Sequence, residues 1–163
     1  EPLAALVTSQ ARLVEFGAYL TNPGAKAQEF HTDTMPSDAS EVAPYYVTML
    51  YLTDVEADGG RFEAVPCSHA LSPYRALLVD LFEKYLDAAL VEIPEHRKAD
   101  YRRDFLAAGL STAGLKRNVA AKAGDVLMYD TSIIHRGSAN QGEVTRGAMY
   151  MTFLGQGADP GGL

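Results

Sequence analysis

Residues 123–153 constrain the fold more than any other part of the chain. Two short runs rich in β-branched and aromatic residues, at 126–129 and 147–153, enclose a polar segment that contains the sequence GSANQG. Apolar runs of this length between turn-forming residues are typical of β-strands, and the connection allows the chain to fold back on itself. The stretch therefore predicts strands of an antiparallel sheet, with His135 and Arg146 on neighbouring strands.

The rest of the chain predicts further strands around this stretch. Residues 45–53, with the sequence YYVTMLYLT, give the strongest strand prediction. They are apolar on both faces, which is typical of a central strand. The weaker strands are predicted at residues 28–33, 61–65 and 117–120. Residues 35–44 are expected to form a loop, and the DGG sequence at 58–60 a turn that accepts positive φ.

Two regions are predicted to be helical. Residues 3–20 carry apolar positions at mixed helical spacing and end before Asn22-Pro23-Gly24, so we expect a helix on the outside of the fold. Residues 72–114 contain an amphipathic segment after Ser72-Pro73, and a second helix is expected at 95–108. Because this helical block lies between two groups of strands, we interpret it as an insertion into a β fold.

Composition limits the class of protein. The 163 residues fit one domain, 1–163, and 47% of them are hydrophobic, as in ordinary globular proteins. The net charge of −7 argues against nucleic acid or an anionic membrane as the main partner. The single cysteine, Cys67, excludes an internal disulfide framework and favours a reducing, cytoplasmic location. Because the first residue is Glu1 rather than Met, we expect an N-terminal segment to be missing.

Three residues predict a metal site. In a strand, residues two apart point to the same face, so His31 and Asp33 of the HTD sequence can present a nitrogen and an oxygen to one point. His135 completes a set of two histidines and one carboxylate. Such a set occupies one face of an octahedral Fe(II) and leaves three positions open, as a bidentate 2-oxo acid plus dioxygen require.

Arg146 follows the second histidine by eleven residues and predicts a carboxylate site. Its planar guanidinium pairs bidentately with a carboxylate and stays charged at any working pH, which suits the distal carboxylate of 2-oxoglutarate. Each of these residues alone has a simpler interpretation: His31 and Asp33 as an exposed pair at a strand end, His135 as a hydrogen-bonded sheet histidine, and Arg146 as a surface cation. The order and spacing of all four favour the metal interpretation.

With these residues in place, the chain resembles the phytanoyl-CoA dioxygenase family of Fe(II)- and 2-oxoglutarate-dependent oxygenases. The similar segments are HTD at 31–33, YVTMLYLTDV at 46–55, DGGRFEAVPCSHA at 58–70 and AGDVLMYDTSIIHRGSANQGEVTR at 123–146. They cover most of residues 27–154 in the order of the family. Cys67 departs from the family, which commonly has glycine there, and family members usually have a longer N-terminal region.

The resemblance implies a fold, a reaction and a set of site residues. The fold would be mainly β: a double-stranded β-helix (a cupin-like jelly roll) with flanking helices and the insertion at about 72–114. Iron would be held by His31, Asp33 and His135. The residues implied at the 2-oxoglutarate site are Arg146, Ser138 and Met49. The reaction would be hydroxylation of a small-molecule C–H bond by dioxygen, with release of succinate and carbon dioxide. Related halogenases replace the carboxylate ligand with a small residue, so the retained Asp33 favours hydroxylation.

Two other functions stay open at this point. One is a non-catalytic jelly-roll module that keeps the metal site without the reaction. The other is a cupin-like metalloenzyme that does not use 2-oxoglutarate, although such an enzyme would not need Arg146. The sequence does not name the substrate or the oligomeric state.

Overall fold

A computed structural model describes residues 12–34, 45–69, 80–81, 84, 94–107 and 116–154. The described residues form seven strands: β1 Arg12–Thr21, β2 Tyr45–Tyr51, β3 Phe62–Ala64, β4 Arg117–Val119, β5 Val126–Asp130, β6 His135–Gly137 and β7 Arg146–Leu154. They build two antiparallel sheets, with the orders β1-β7-β2-β5 and β4-β3-β6. The predicted mainly β architecture is therefore confirmed, and β2 is an interior strand, as its apolar sequence indicated.

The four-stranded sheet has two distinct faces. Residues paired across neighbouring strands share a face, so the register places Glu15, Thr152 and Val47 on one side of the sheet. Tyr51 and Ala148 are paired on this same face and are almost fully buried. They belong to the core cluster, whose members are Met49, Tyr51, Val55, Ala121 and Ala148. This face therefore forms the interior of the fold.

The helix predicted at residues 3–20 is wrong from Arg12 onward, where the chain forms β1. This segment pairs with β7 along its length, from Arg12 opposite Leu154 to Thr21 opposite Arg146. Its residues alternate between the inner face, which holds Tyr19, and an exposed outer face. The backbone N–H and C=O groups of this segment form hydrogen bonds with β7, in place of the hydrogen bonds that they would form with one another in a helix. Residues 3–11 lie outside the described part of the chain.

The strand predicted at residues 28–33 is reduced to a single bridge. His31 and His135 exchange backbone hydrogen bonds, with N···O distances of 3.0 and 2.9 Å. On either side, Gln28 N–H donates to the carbonyl of Gly137 and Asp33 N–H to that of Thr131. The segment therefore follows β6 and then turns away before a regular ladder can form. The loop predicted at 35–44 lies outside the described residues.

Helical residues occur within the predicted insertion. A 3-10 helix, Glu95–Arg97, leads into helix α1, Lys98–Ala107, and residues 80–81 and 84 are also helical. The limits of the insertion at 72–114 lie outside the described residues and stay a prediction. No helix found in the described ranges has the length and apolar character needed to span a membrane.

One turn near the site has a conformation that favours glycine. Cys67, just after β3, has φ of 62°, in the left-handed region where side chains other than glycine and asparagine are strained. The family that the sequence resembles commonly has glycine at this position, and glycine adopts this φ without strain.

Candidate metal centre

The structure brings His31, Asp33 and His135 together. Their potential ligand atoms all lie within 4.8 Å of one another. Asp33 Oδ1 is 3.6 Å from His31 Nε2 and 3.5 Å from His135 Nε2. Two ligand atoms that each lie about 2.1 Å from one ion are about 3.0–3.5 Å apart at adjacent coordination positions. The spacing of the three side chains therefore fits a single metal ion.

In both histidines, a hydrogen bond occupies Nδ1 and leaves Nε2 available to bind a metal. His31 Nδ1 lies 2.8 Å from the carbonyl oxygen of Glu29, and His135 Nδ1 lies 2.9 Å from that of Ile133. A carbonyl only accepts hydrogen bonds, so each Nδ1 carries the proton and each Nε2 keeps its lone pair in the neutral ring. Backbone carbonyls commonly orient metal-binding histidines in this way.

Asp33 is held as a carboxylate. Burial raises its pKa, but the adjacent imidazoles of His135 and His31 lower it by more, so the pKa lies well below its ordinary value. Its other oxygen, Oδ2, accepts a hydrogen bond from the Tyr129 hydroxyl at 3.1 Å. Tyr129 therefore fixes the rotation of the carboxylate and leaves Oδ1 facing the two imidazoles.

Two aromatic rings pack against His135, which lies on the three-stranded sheet. The Phe62 ring stacks on His135 with a centroid distance of 5.1 Å, and the Tyr129 ring lies 4.8 Å from it at a tilt. His135 is 4% exposed. Tight packing of this kind holds the imidazole in one rotamer and limits the access of water to the site.

Arg146 lies near the triad, but on the facing sheet rather than on a neighbouring strand. His135 is on β6 of the three-stranded sheet and Arg146 begins β7 of the four-stranded sheet, so the prediction that their strands are neighbours is wrong. The turn-rich connection at 138–145 carries the chain between sheets instead of closing a hairpin, because Asn140 donates hydrogen bonds from its side chain to the carbonyl of Thr21 and from its backbone N–H to that of Ala25.

Among the described residues, the guanidinium of Arg146 is a half-buried cation without a counter-ion. It donates hydrogen bonds to the carbonyl of Gly60 and, at 2.8 Å, to the hydroxyl of Thr21, while its buried Nε has no partner. Within the described ranges no carboxylate forms an ion pair with it. Burial lowers the pKa of Arg146, as expected for a desolvated charge, although an arginine remains protonated. Such a group is stabilised by an anion that enters the cavity.

One cavity of about 140 Å³ is lined by all six residues that the sequence predicted for the site. Besides the triad and Arg146, these are Met49, which is 6% exposed on β2, and Ser138, which follows β6. The sequence did not single out the remaining lining residues, which are Tyr19, Thr21, Lys26, Gln28, Phe62, Tyr129 and Gly137. A strand prediction for residues 12–21 would have placed Tyr19 and Thr21 on the same face, because side chains alternate between faces along a strand.

Comparison with known proteins finds similarity in structure alone. No family model matches the chain, and no curated protein matches it by sequence. Among solved structures, HygX from Streptomyces hygroscopicus with nickel and 2-oxoglutarate bound has a TM-score of 0.64 at 16% identity over 95% of this chain. The non-heme alpha-ketoglutarate-dependent carbocyclase SnoK, from nogalamycin biosynthesis, has a TM-score of 0.61 at 19% identity over 89%. EvdMO1 has a TM-score of 0.61 at 21% identity over 94%.

The chain has the cupin-like fold of these proteins. It spans 60% of the HygX chain, 51% of SnoK and 29% of EvdMO1. The predicted double-stranded β-helix is therefore confirmed. At these identities the likeness shows the fold, and the function of this chain has to be argued from its own side chains.

Proposed function

We propose that this chain is the Fe(II)- and 2-oxoglutarate-dependent dioxygenase domain of an enzyme that hydroxylates a C–H bond of a small molecule. The observation that carries the proposal is one cavity that contains both a two-histidine, one-carboxylate set and a half-buried arginine that has no counter-ion among the described residues. The first feature suits Fe(II), and the second suits the distal carboxylate of 2-oxoglutarate. Two proteins that share the fold are consistent with this proposal. HygX has a structure with 2-oxoglutarate bound, and SnoK is an alpha-ketoglutarate-dependent enzyme.

The residues of the chain have separate roles in this proposal. His31, Asp33 and His135 would hold the iron. Arg146 would bind the distal carboxylate of 2-oxoglutarate, with the Ser138 hydroxyl as a second donor. When bound, iron and 2-oxoglutarate supply the oxidising power for C–H hydroxylation by dioxygen, with succinate and carbon dioxide as by-products. The protein supplies orientation, charge balance and exclusion of water.

Met49 and the apolar rings around it would keep the cosubstrate cavity dry. Met49 is buried on β2 and the Phe62 ring is 4% exposed on β3, so the cavity lies between the two sheets. Exclusion of water strengthens the attraction between a carboxylate and Arg146. Assignment to the phytanoyl-CoA dioxygenase family rests on the sequence segments that resemble it, and it is part of this proposal.

Anaerobic titration of the Fe(II)-loaded protein with 2-oxoglutarate tests the proposal. We expect the weak visible charge-transfer band of the iron chelate to appear. In Arg146→Ala the affinity for 2-oxoglutarate should fall roughly 100-fold, because charge-assisted hydrogen bonds to the carboxylate are lost. Arg117→Ala, which removes an exposed arginine on β4, is the matched control and should bind 2-oxoglutarate normally.

The same titration separates the alternatives. Iron binding without a band in the wild-type protein would favour the non-catalytic module. A band that is unaffected by Arg146→Ala would remove the assigned role of this arginine. His135→Ala should abolish iron binding, and an unchanged iron stoichiometry in that variant would contradict the ligand assignment.

A further inference from the structure

A second cavity adjoins the metal centre on the inner face of the four-stranded sheet. Its volume is about 370 Å³, and its lining comes from β1, β2, β5 and β7 together with Asp33, Thr34 and Thr131. Tyr19, Asp33 and Tyr129 line both this cavity and the smaller one that contains Arg146. A molecule in the second cavity would therefore contact the wall that carries the metal ligand Asp33.

The two cavities differ in charge. The smaller one is lined by Arg146 and Lys26, which suits a dianion. Among the described residues that line the larger one, seven carry a hydroxyl group, two are acidic (Glu15 and Asp33), and none is a lysine, arginine or histidine. With Asp33 assigned to the metal, Glu15 is the acidic group that remains to meet a second molecule. The larger cavity therefore favours a cationic, hydroxyl-bearing molecule over an anionic or aliphatic one.

Glu15 is held in place by residues of β7. Its Oε1 accepts a hydrogen bond from the Tyr150 hydroxyl at 2.9 Å, and its Oε2 accepts one from Thr152 at 3.4 Å. Gly17 faces Tyr150 across the strand pair, and a β-carbon there would lie 2.6 Å from the Tyr150 ring. The missing side chain thus lets the Tyr150 ring lie across β1 and stack on Tyr19, with centroids 4.6 Å apart.

The Tyr19 phenol of this cavity stays neutral. Burial, followed by the nearby Tyr150 and acidic groups, raises the pKa of Tyr19 to about 12. Tyr19 therefore keeps its proton at neutral pH and can both donate and accept hydrogen bonds, which is what recognition of a substrate hydroxyl requires.

We propose that the larger cavity binds a hydroxyl-rich substrate that carries a cationic amine, such as an amino sugar or an amino polyol, with Glu15 as the partner of the amine. The inference rests on the proposed function, since it assigns the substrate class of the same site. Hydroxyl groups on Tyr45, Thr131 and Tyr150 supply hydrogen bonds to substrate hydroxyls, and the carboxylate selects for positive charge. An acyl-CoA thioester, with its phosphates and aliphatic chain, does not match this lining.

The test compares three sugars of similar size and different charge: glucosamine, glucose and glucuronate. Their affinities are measured by saturation-transfer NMR on protein loaded with 2-oxoglutarate and Zn(II), which replaces Fe(II) so that no oxidation occurs. We expect glucosamine to bind about fivefold more tightly than glucose, as one solvent-accessible ion pair allows, and glucuronate to bind most weakly. Glu15→Gln should equalise glucosamine and glucose, whereas Glu143→Gln, an equal change of charge on an exposed loop, should preserve the difference.

Several outcomes would overturn the inference. Glucuronate could bind as tightly as glucosamine, the preference for glucosamine could persist in Glu15→Gln, or all three sugars could fail to bind. The 2-oxoglutarate titration of Glu15→Gln separates these failures from failure of the proposed function. A normal charge-transfer band in this variant leaves the oxygenase assignment intact, whereas absence of the band in the wild-type protein removes it.

Discussion

The hydroxyl of Tyr129 positions a metal ligand without binding the metal itself. It donates to Oδ2 of Asp33, the oxygen that does not face the histidines. Removing such a partner typically lowers metal affinity by about 10- to 100-fold, since the carboxylate must then be ordered on binding. We therefore expect Tyr129→Phe to fold normally and to bind Fe(II) about 10-fold more weakly in an anaerobic titration.

The control for this variant lies on the neighbouring strand. Tyr46 pairs with Asp130 and points to the opposite face of the sheet from Tyr129. Tyr46→Phe also removes one phenolic hydroxyl, but it should leave iron affinity unchanged. Equal losses in the two variants would indicate a general effect on stability and would contradict the positioning role of Tyr129.

At the scale of single residues, the sequence predicted the side chains whose chemistry is distinctive. His31, Asp33 and His135 combine donor types that few other arrangements share, and the structure places them together. Tyr129 and Thr21 were not predicted, because a hydroxyl acquires its role from the partner it meets across the fold. Thr21 contacts Arg146 and Tyr129 contacts Asp33 over sequence separations of 125 and 96 residues.

At the scale of elements, a buried carboxylate joins the strands of the smaller sheet. Glu63 on β3 is 4% exposed and accepts hydrogen bonds from Arg136 on β6 and from Lys116 beside β4, both at 2.6 Å. Burial raises its pKa, but these two cations lower it by more, so its pKa lies below the ordinary value of 4.5. The ion pairs therefore stabilise the folded state fully above about pH 4.5, and this contribution is lost as the pH falls through the lower folded-state value.

Glu63→Gln tests this contribution. At neutral pH we expect the free energy of unfolding to fall by about 3 kcal/mol, since two partly buried cations lose their buried counter-ion. The deficit relative to wild type should shrink as the pH is lowered below 4.5, because the wild-type carboxylate is then protonated as well. Urea unfolding across pH measures both effects, with the exposed Glu56→Gln as control. A deficit that is independent of pH would contradict the ionic origin.

The elements predicted wrongly from sequence are those whose secondary structure depends on pairing with a strand far away in the chain. Residues 12–21 mix apolar and polar positions in a way that fits either a helix or a strand. Their pairing with β7, which lies 125 or more residues further along the chain, selects the strand. The strands predicted at 45–53 and 147–153 are found at 45–51 and 146–154, because their β-branched and aromatic residues favour a strand locally and the fold agrees. The missed β1 carries Glu15 and Tyr19, which explains why no substrate-binding residue could be named from sequence.

At the scale of the whole molecule, the site connects parts of the chain that otherwise meet only through packing. His135 belongs to the three-stranded sheet, Arg146 and Met49 belong to the four-stranded sheet, and His31 and Asp33 lie on the connection after β1. A metal ion and 2-oxoglutarate held by these residues would join both sheets and the connection. Because the unfolded chain cannot assemble this set, binding should stabilise the folded state as a whole.

Thermal unfolding in the absence of oxygen measures this coupling. At ligand concentrations about 100-fold above the dissociation constants, each binding step contributes about 2.7 kcal/mol, which raises the Tm of a domain of this size by roughly 5–10 °C. Fe(II) should raise the Tm first, 2-oxoglutarate should raise it further only when iron is present, and EDTA should reverse both increases. His135→Ala should abolish both, whereas Arg146→Ala should abolish only the second. If 2-oxoglutarate alone stabilised the protein, or iron stabilised His135→Ala equally, the two ligands would not share the site that the fold assembles between its sheets.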